Sequence, residues 1–186
     1  MKSVMISIKP KYCELIASGK KTVEVRKTKP KLNTPFKCYI YQTVDGRTNT
    51  VDILENNLGK VIGEFVCDNI YPIRYERDGF YVADFIDCKT SCLKPRDFIV
   101  YGKGKPLYGW HISDPVIYDE PKELEAFTTF CDANKKRCAN CKHYLFDNDD
   151  LNGYRRWCDV CHRKPLTRPP QSWGYVEGRN NEAFSK

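Results

Sequence analysis

Hydrophobic and polar positions alternate over short stretches through the first 120 residues, with turn residues between them. Residues 4–8 form a β-branched run, and Pro10 follows at a position suited to the first turn of a helix. Tyr12, Leu15 and Ile16 recur at helical spacing, and Gly19 stands where a helix would stop. Strand, short helix and glycine stop are therefore expected in that order. Residues 22–26 (TVEVR) then alternate with period two, so Val23 and Val25 point one way and Thr22, Glu24 and Arg26 the other.

Further strands are predicted over 36–43 (FKCYIYQT), 60–66 (KVIGEFV), 108–112 (YGWHI) and 115–118 (PVIY). Residues 71–107 mix aromatics, prolines and glycines, and a short helix is expected around 91–96. Asp119 and Pro121 read as the start of another helix over 121–130. Many short strands with few helices predict an α+β domain or a small β-barrel.

Beyond residue 131 the pattern changes. Aliphatic residues become sparse, whereas cysteine and basic residues rise, so this segment cannot build a hydrophobic core of its own. It contains Cys138-x-x-Cys141 and, after sixteen residues, Cys158-x-x-Cys161. Two residues between paired cysteines let both sulfurs face one tetrahedral ion, and the second pair completes the shell. One structural Zn2+ is expected on Cys138, Cys141, Cys158 and Cys161; the spacing also admits an iron–sulfur cluster. His143 and His162 read as neighbours of a filled shell, with Cys131 outside the paired spacing. A closed four-thiolate site has no open position for water, so this metal implies stability rather than catalysis. The nearby Lys142, Arg155, Arg156, Arg163, Lys164 and Arg168 either soften the thiolate charge or meet phosphates.

Composition places the chain among globular proteins, with no apolar run long enough to span a bilayer and no secretory leader pattern. A cytoplasmic location is expected, where clustered cysteines favour metal over disulfides. Cys13, Cys38, Cys67, Cys88 and Cys92 read as small buried hydrophobes. The net charge of +7 is unevenly distributed: residues 1–37 carry ten Lys or Arg against two acidic residues. Residues 38–130 carry ten against fifteen, and residues 131–186 eleven against seven. Basic ends around an acidic middle fit a polyanion partner, or a solvated surface with excess lysine.

The run Ser7-Ile8-Lys9-Pro10, Leu15-Ile16 and Gly19-Lys20-Lys21-Thr22-Val23-Glu24-Val25-Arg26 resembles the opening of an ASCH domain, a family of the PUA-like superfamily of small β-barrels. The resemblance extends loosely over about residues 3–120, and the tail 168–176 (RPPQSWGYV) is similar to phage and prophage members. It implies a cleft for RNA or a nucleotide-like ligand, lined by Lys9, Lys20, Lys21, Glu24 and Arg26. On the residues alone, Lys21, Glu24 and Arg26 make either a mixed-charge ligand site or a solvated surface ladder. Trp110 and His111 either stack and hydrogen-bond a base or close the core with a half-exposed imidazole beside it.

Some members of the resembled family are amidohydrolases of acetylated cytidine that use Lys, Thr and Glu. Lys21 matches their lysine, but Glu24 stands where they carry the Thr, which removes a hydroxyl that chemistry needs; Glu64 is a spare carboxylate. Others are ribonucleases, for which Lys21 with Tyr12 or His111 is the candidate catalytic set.

The reading is therefore an α+β protein. Residues 1–124 are expected to form a PUA-like β-barrel with flanking short helices. Residues 125–186 are expected to hold a linker helix, a four-cysteine zinc ribbon or knuckle and a tail. The expected function is binding of nucleic acid, RNA ahead of DNA, or of a modified nucleotide, in the cytoplasm of a bacterial or phage-infected cell. A hydrolase centred on Lys21 is the alternative, a phage-derived protein-interaction factor the third reading, and no membrane partner is expected.

Overall fold

The computed structural model describes residues 2–44, 57–73, 76–77, 80–81, 85–129 and 165–178. Its first strand, β1 (Ser3–Ile8), is buried on both faces, which is why the sequence there runs apolar instead of alternating cleanly. α1 (Pro10–Ala17) follows, with Pro10 in its first turn and Cys13 and Ile16 facing inward. Gly19 ends it at φ +70°, donating its N–H to the Ile16 carbonyl, a conformation that suits glycine.

The chain then forms β2 (Val23–Arg26), β3 (Phe36–Gln42), β4 (Val61–Cys67), β5 (Ile70–Ile73) and a short ribbon, β6 (Glu76–Arg77) with β7 (Phe80–Tyr81). Two helices, α2 (Phe85–Ser91) and α3 (Pro95–Gly102), precede β8 (Leu107–His111), β9 (Ser113–Lys122), β10 (Phe127–Thr129) and β11 (Trp173–Gly178). The expected helix around 91–96 is instead a break between two helices: Cys92 sits at φ +55°, and Pro95 starts α3 in its first turn.

Six strands form one sheet in the order β10-β11-β1-β3-β4-β9, and three form a second in the order β2-β8-β5. All pairs are antiparallel except β1 with β3, whose parallel alignment is bridged by the crossover through α1 and β2. The fold is thus α+β, sheet-rich and barrel-like. Its main core gathers Val4, Ile6 and Ile8 of β1, Cys38 and Ile40 of β3, Phe65 of β4, and Trp110 of β8. Met5, on the other face of β1, packs in a second cluster with Tyr41, Val61, Leu124, Phe127, Leu166 and Val176. A third cluster, Val25, Ile73, Phe98 and Leu107, seats α3 on the smaller sheet. Cys13, Cys38 and Cys67 are buried as expected, whereas Cys88 and Cys92 are partly exposed.

Two expectations are corrected. No helix spans 121–130: Pro121 lies within β9, an edge strand whose outer side needs no ladder donor, and only a 3-10 turn over Leu124–Ala126 precedes β10. The sheet also does not end near residue 124. Pro165 bridges Thr128, the Leu166 N–H donates to the Phe127 carbonyl at 2.8 Å, and β11 inserts between β10 and β1. Apolar residues too few to form their own core pack on the barrel instead: Leu166 and Val176 are buried there and Trp173 is half-buried against the main core. The cysteine segment between Thr129 and Pro165 lies outside the described residues. Among those described, no helix is long and apolar enough to cross a membrane.

A Cβ at Gly63 would collide with the Val116 carbonyl oxygen and stand 3.1 Å from Ile117 Cα. Gly63→Ala should therefore force β4 and β9 apart and lower stability by about 1–3 kcal/mol, read by chemical denaturation. On the same strand, burial opposes ionisation of Glu64, but Lys37 Nζ and Tyr118 Oη, each 2.6 Å from a carboxylate oxygen, outweigh it and hold the acid below its usual range. A lowered folded pKa means stability that is present above the unfolded value and lost as pH falls through the folded one. The Tm gap between the parent and Glu64→Gln should thus be open at pH 6 and close below about pH 4.5, the ordinary value.

Candidate functional site

Alternation along β2 correctly assigns its side chains to two faces, but both faces are buried. Val23 and Val25 are 3% and 5% exposed, and Glu24 and Arg26 are each 7% exposed. Lys21, held in the turn before β2 by its N–H bond to the Leu15 carbonyl, is only 2% exposed. These values exclude the solvated ladder: Lys21, Glu24 and Arg26 form a buried ion network.

Glu24 lies at its centre. Its Oε2 is 3.2 Å from Lys21 Nζ and its Oε1 is 3.0 Å from Arg26 Nη2. Lys21 Nζ also donates to the Ser91 carbonyl at the end of α2 (2.7 Å) and lies 5.1 Å from the Tyr12 ring centroid. Arg26 Nη2 donates to the Ser7 carbonyl on β1 (2.6 Å), and Nη1 to Ser172 Oγ beside β11 (3.2 Å). Arg26 Nε is buried with no hydrogen-bond partner. One carboxylate thus serves two cations that carry eight N–H donors between them, leaving the network rich in donors and positive overall.

The network floors an open cavity of about 910 Å3. Ser7, Lys9, Tyr12, Lys21, Glu24, Arg26 and Lys27 line one side. The other side is lined by Arg96, Asp97, Tyr101 and Lys103 of α3 and its cap, and Gln171 and Ser172 complete the wall. α3 is aimed by its N-terminus, where Asp97 Oδ2 accepts the Lys94 N–H at 2.8 Å, and it ends on Lys103 at φ +49°. The wall at 170–172 is fixed by Ser7, whose N–H donates to the Ser172 carbonyl (2.9 Å) and whose Oγ donates to the Pro170 carbonyl (2.6 Å). Burial, with the Asp97 and Glu24 carboxylates adding to it, raises the Tyr12 phenol above its ordinary pKa, so it remains a donor at neutral pH.

The structure brings Lys9, Lys21, Glu24 and Arg26 together in this cavity. Lys20 is exposed and not among the lining residues. Trp110 is fully buried, edge-on to Phe36 at 6.0 Å and 5.7 Å from Trp173, so its ring is core and not a platform for a base. His111 does not line the cavity; its Nδ1 lies 2.7 Å from Asp68 Oδ1, and Ser113 Oγ donates to Asp68 Oδ2 at 2.6 Å. Glu64 is also elsewhere, tied to Lys37 and Tyr118. Sequence reasoning missed Arg96, Tyr101 and Lys103, although Pro95 and the following Asp97 are a helix-start signal. It also missed Gln171 and Ser172, which no local pattern places beside β1.

Among the described residues no group of three or more His, Cys, Asp or Glu is arranged to hold a metal ion. Cys138, Cys141, Cys158 and Cys161 lie outside those residues.

Removing the central carboxylate leaves two buried cations uncompensated. Glu24→Ala should cost about 3–5 kcal/mol in denaturant unfolding, and Glu24→Gln, which keeps an acceptor for one cation, should cost less. Equal stability of Glu24→Ala and the parent would contradict this account of the network.

No curated protein matches the sequence significantly. Among solved structures, the ASCH protein of Zymomonas mobilis is similar at 22% identity and a TM-score of 0.46, over 66% of this chain and 73% of that one. A tyrosine-to-phenylalanine variant of that protein gives 22% identity and a TM-score of 0.45, over 67% and 77%. A serine-to-alanine variant gives 22% and 0.46, over 66% and 74%. Within the sequence itself, residues 6–77 match the model of the ASCH domain, a stretch that includes Lys21, Glu24 and Arg26.

Proposed function

We propose that the cavity binds RNA, or a modified nucleotide within it, by seating an acceptor-rich group on the buried Lys21–Glu24–Arg26 network. The observation that carries this reading is the donor excess of that network, with a buried Arg26 Nε left unpaired. A nucleobase carbonyl or a phosphate supplies the missing acceptors. The surroundings agree in sign: the lining holds six Lys or Arg side chains against Glu24 and Asp97. Tyr12 and Tyr101 add aromatic faces on which a base can stack. The ASCH match over residues 6–77 supports the same reading, since such domains are generally thought to bind RNA.

Arg96 and Lys103 are exposed lining residues whose loss leaves the buried network intact. In fluorescence anisotropy with a labelled single-stranded RNA, the double substitution Arg96→Gln and Lys103→Gln should weaken binding without lowering Tm. The slope of log affinity against log salt should fall by about 1.4, at about 0.7 per lost phosphate contact. Weak affinity of the parent for every RNA at low salt would overturn the reading.

A second reading, hydrolysis of RNA or of a modified nucleoside, is favoured by one observation: the Tyr12 phenol and the Lys21 ammonium share the cavity, 5.1 Å apart measured to the ring. Turnover of RNA or acetylated cytidine by the pure protein, lost in Lys21→Ala, would establish it. Product formation that survives loss of Lys21 would exclude this assignment.

For the C-terminal segment we infer one structural zinc on Cys138, Cys141, Cys158 and Cys161, supported by the paired spacing, with the adjacent Arg and Lys residues adding phosphate contacts. Metal analysis of the full chain should find about one zinc, and chelation should speed proteolysis between residues 131 and 164 while the barrel stays folded.

A further inference from the structure

We infer that the occupant of the cavity is one part of a single-stranded polynucleotide, which leaves the cavity along the lysines at 27, 29 and 31. This rests on the nucleotide reading of the cavity and adds that its partner is a polymer, not a free nucleotide. The segment after β2 reads Lys27-Thr28-Lys29-Pro30-Lys31, and its alternation is held in place. Thr28 Oγ1 accepts the Trp173 indole N–H at 3.0 Å, Pro30 is buried, and the Lys31 N–H donates to Tyr175 Oη at 2.7 Å. All three lysines are exposed.

Tyrosines accompany two of them. Lys27 Nζ lies 4.7 Å from the Tyr101 ring centroid and Lys29 Nζ 5.8 Å from that of Tyr108, whereas the Tyr175 ring carries Lys2 Nζ, 4.0 Å from its centroid. Lys27 and Tyr101 line the large cavity, so the row begins inside it. Lys29 borders a second cavity of about 270 Å3, where Asn33, Thr34 and Asn69 offer both donors and acceptors. Elsewhere on the surface Lys37 pairs with Glu64 and Lys60 with Glu123. Among the described residues, Lys27, Lys29 and Lys31 have no carboxylate partner.

A solvated lysine face explains charge but not this combination. Cations without a carboxylate at every second residue, a tyrosine ring beside Lys27 and another beside Lys29, and a cavity bordering each of those two lysines match a chain that repeats phosphate and base. An acidic peptide would satisfy the cations but leave the tyrosine faces and the amide-lined cavity without a role. The reach fits as well, since residues 27–31 span at most about 14 Å, a distance over which successive phosphates of one strand can be met.

The test compares the full-length protein with the double variant Lys29→Gln, Lys31→Gln, which leaves the lining of the large cavity untouched. The probes are a labelled RNA hexanucleotide, the same DNA hexanucleotide, an RNA duplex and a free mononucleotide, titrated over a range of salt. The parent should bind the single-stranded hexamers at least about tenfold more tightly than the mononucleotide, and the RNA and DNA arms report whether the 2′-hydroxyl is read. The double variant should lose most of that advantage and about 1.4 units of salt slope, at about 0.7 per phosphate, while keeping its mononucleotide affinity, since neither Lys29 nor Lys31 lines the large cavity. Equal affinity of the parent for hexamer and mononucleotide, or unchanged hexamer binding by the folded variant, would overturn the strand path but leave the cavity reading standing. A duplex that binds as tightly as the single strand, with the same lysine dependence, would overturn it in favour of a patch that reads charge alone. Failure of the parent to bind any of these probes would remove the cavity reading and the path together.

Discussion

The fold around the cavity depends on one carboxylate. Glu24 is the only acid within hydrogen-bonding reach of Lys21 and Arg26 among the described residues, and all three side chains are almost wholly withdrawn from water. Bringing two cations into such a place carries a large desolvation cost, which one carboxylate offsets only with help from backbone carbonyls. The Ser91 and Ser7 carbonyls give that help, and in accepting those bonds the end of α2 and strand β1 become tied to β2. Ser172 brings in a segment almost 150 residues further along. The network is therefore both a structural knot and the floor of the cavity. Its surplus of donors makes it hospitable to an acceptor from outside.

The same constraint explains which parts of the site could be read from sequence. β1, α1, the Gly19 stop and β2 follow one another locally, so their order and the residues facing the future cavity were legible. The charges on β2 were not placed correctly by pattern alone. Period two separates faces but does not reveal what covers each, and here α2 and the 170–172 segment cover the polar one. Trp110 fails as a ligand platform for a related reason. It occupies the inward register of β8 opposite Glu24 on β2, where Phe36 and Trp173 close around it. Arg96, Tyr101 and Lys103 were missed because the aromatic, proline and glycine content of residues 71–107 masks two short helices. Gln171 and Ser172 were missed because their place depends on a strand pairing between Ser3 and Val176 that no local signal announces.

That long-range pairing also changes what the C-terminal cysteines can mean. A module appended after a finished barrel would have little influence on the cavity. Here the chain leaves the sheet after β10 and re-enters it at Pro165, which bridges Thr128, and continues directly into the cavity wall. The two ends of the cysteine segment are thus held together by the barrel itself. Closure entropy for a loop of that length is already met by the β10, Pro165 and Leu166 contacts, so a metal within it need not supply it. Ordering by a metal would then act chiefly inside the segment. What the structure does fix is the segment's far end: from the Pro165 bridge the chain runs through buried Leu166 to Gln171 and Ser172, so the return that closes the segment is the same stretch that completes the cavity wall beside Arg26.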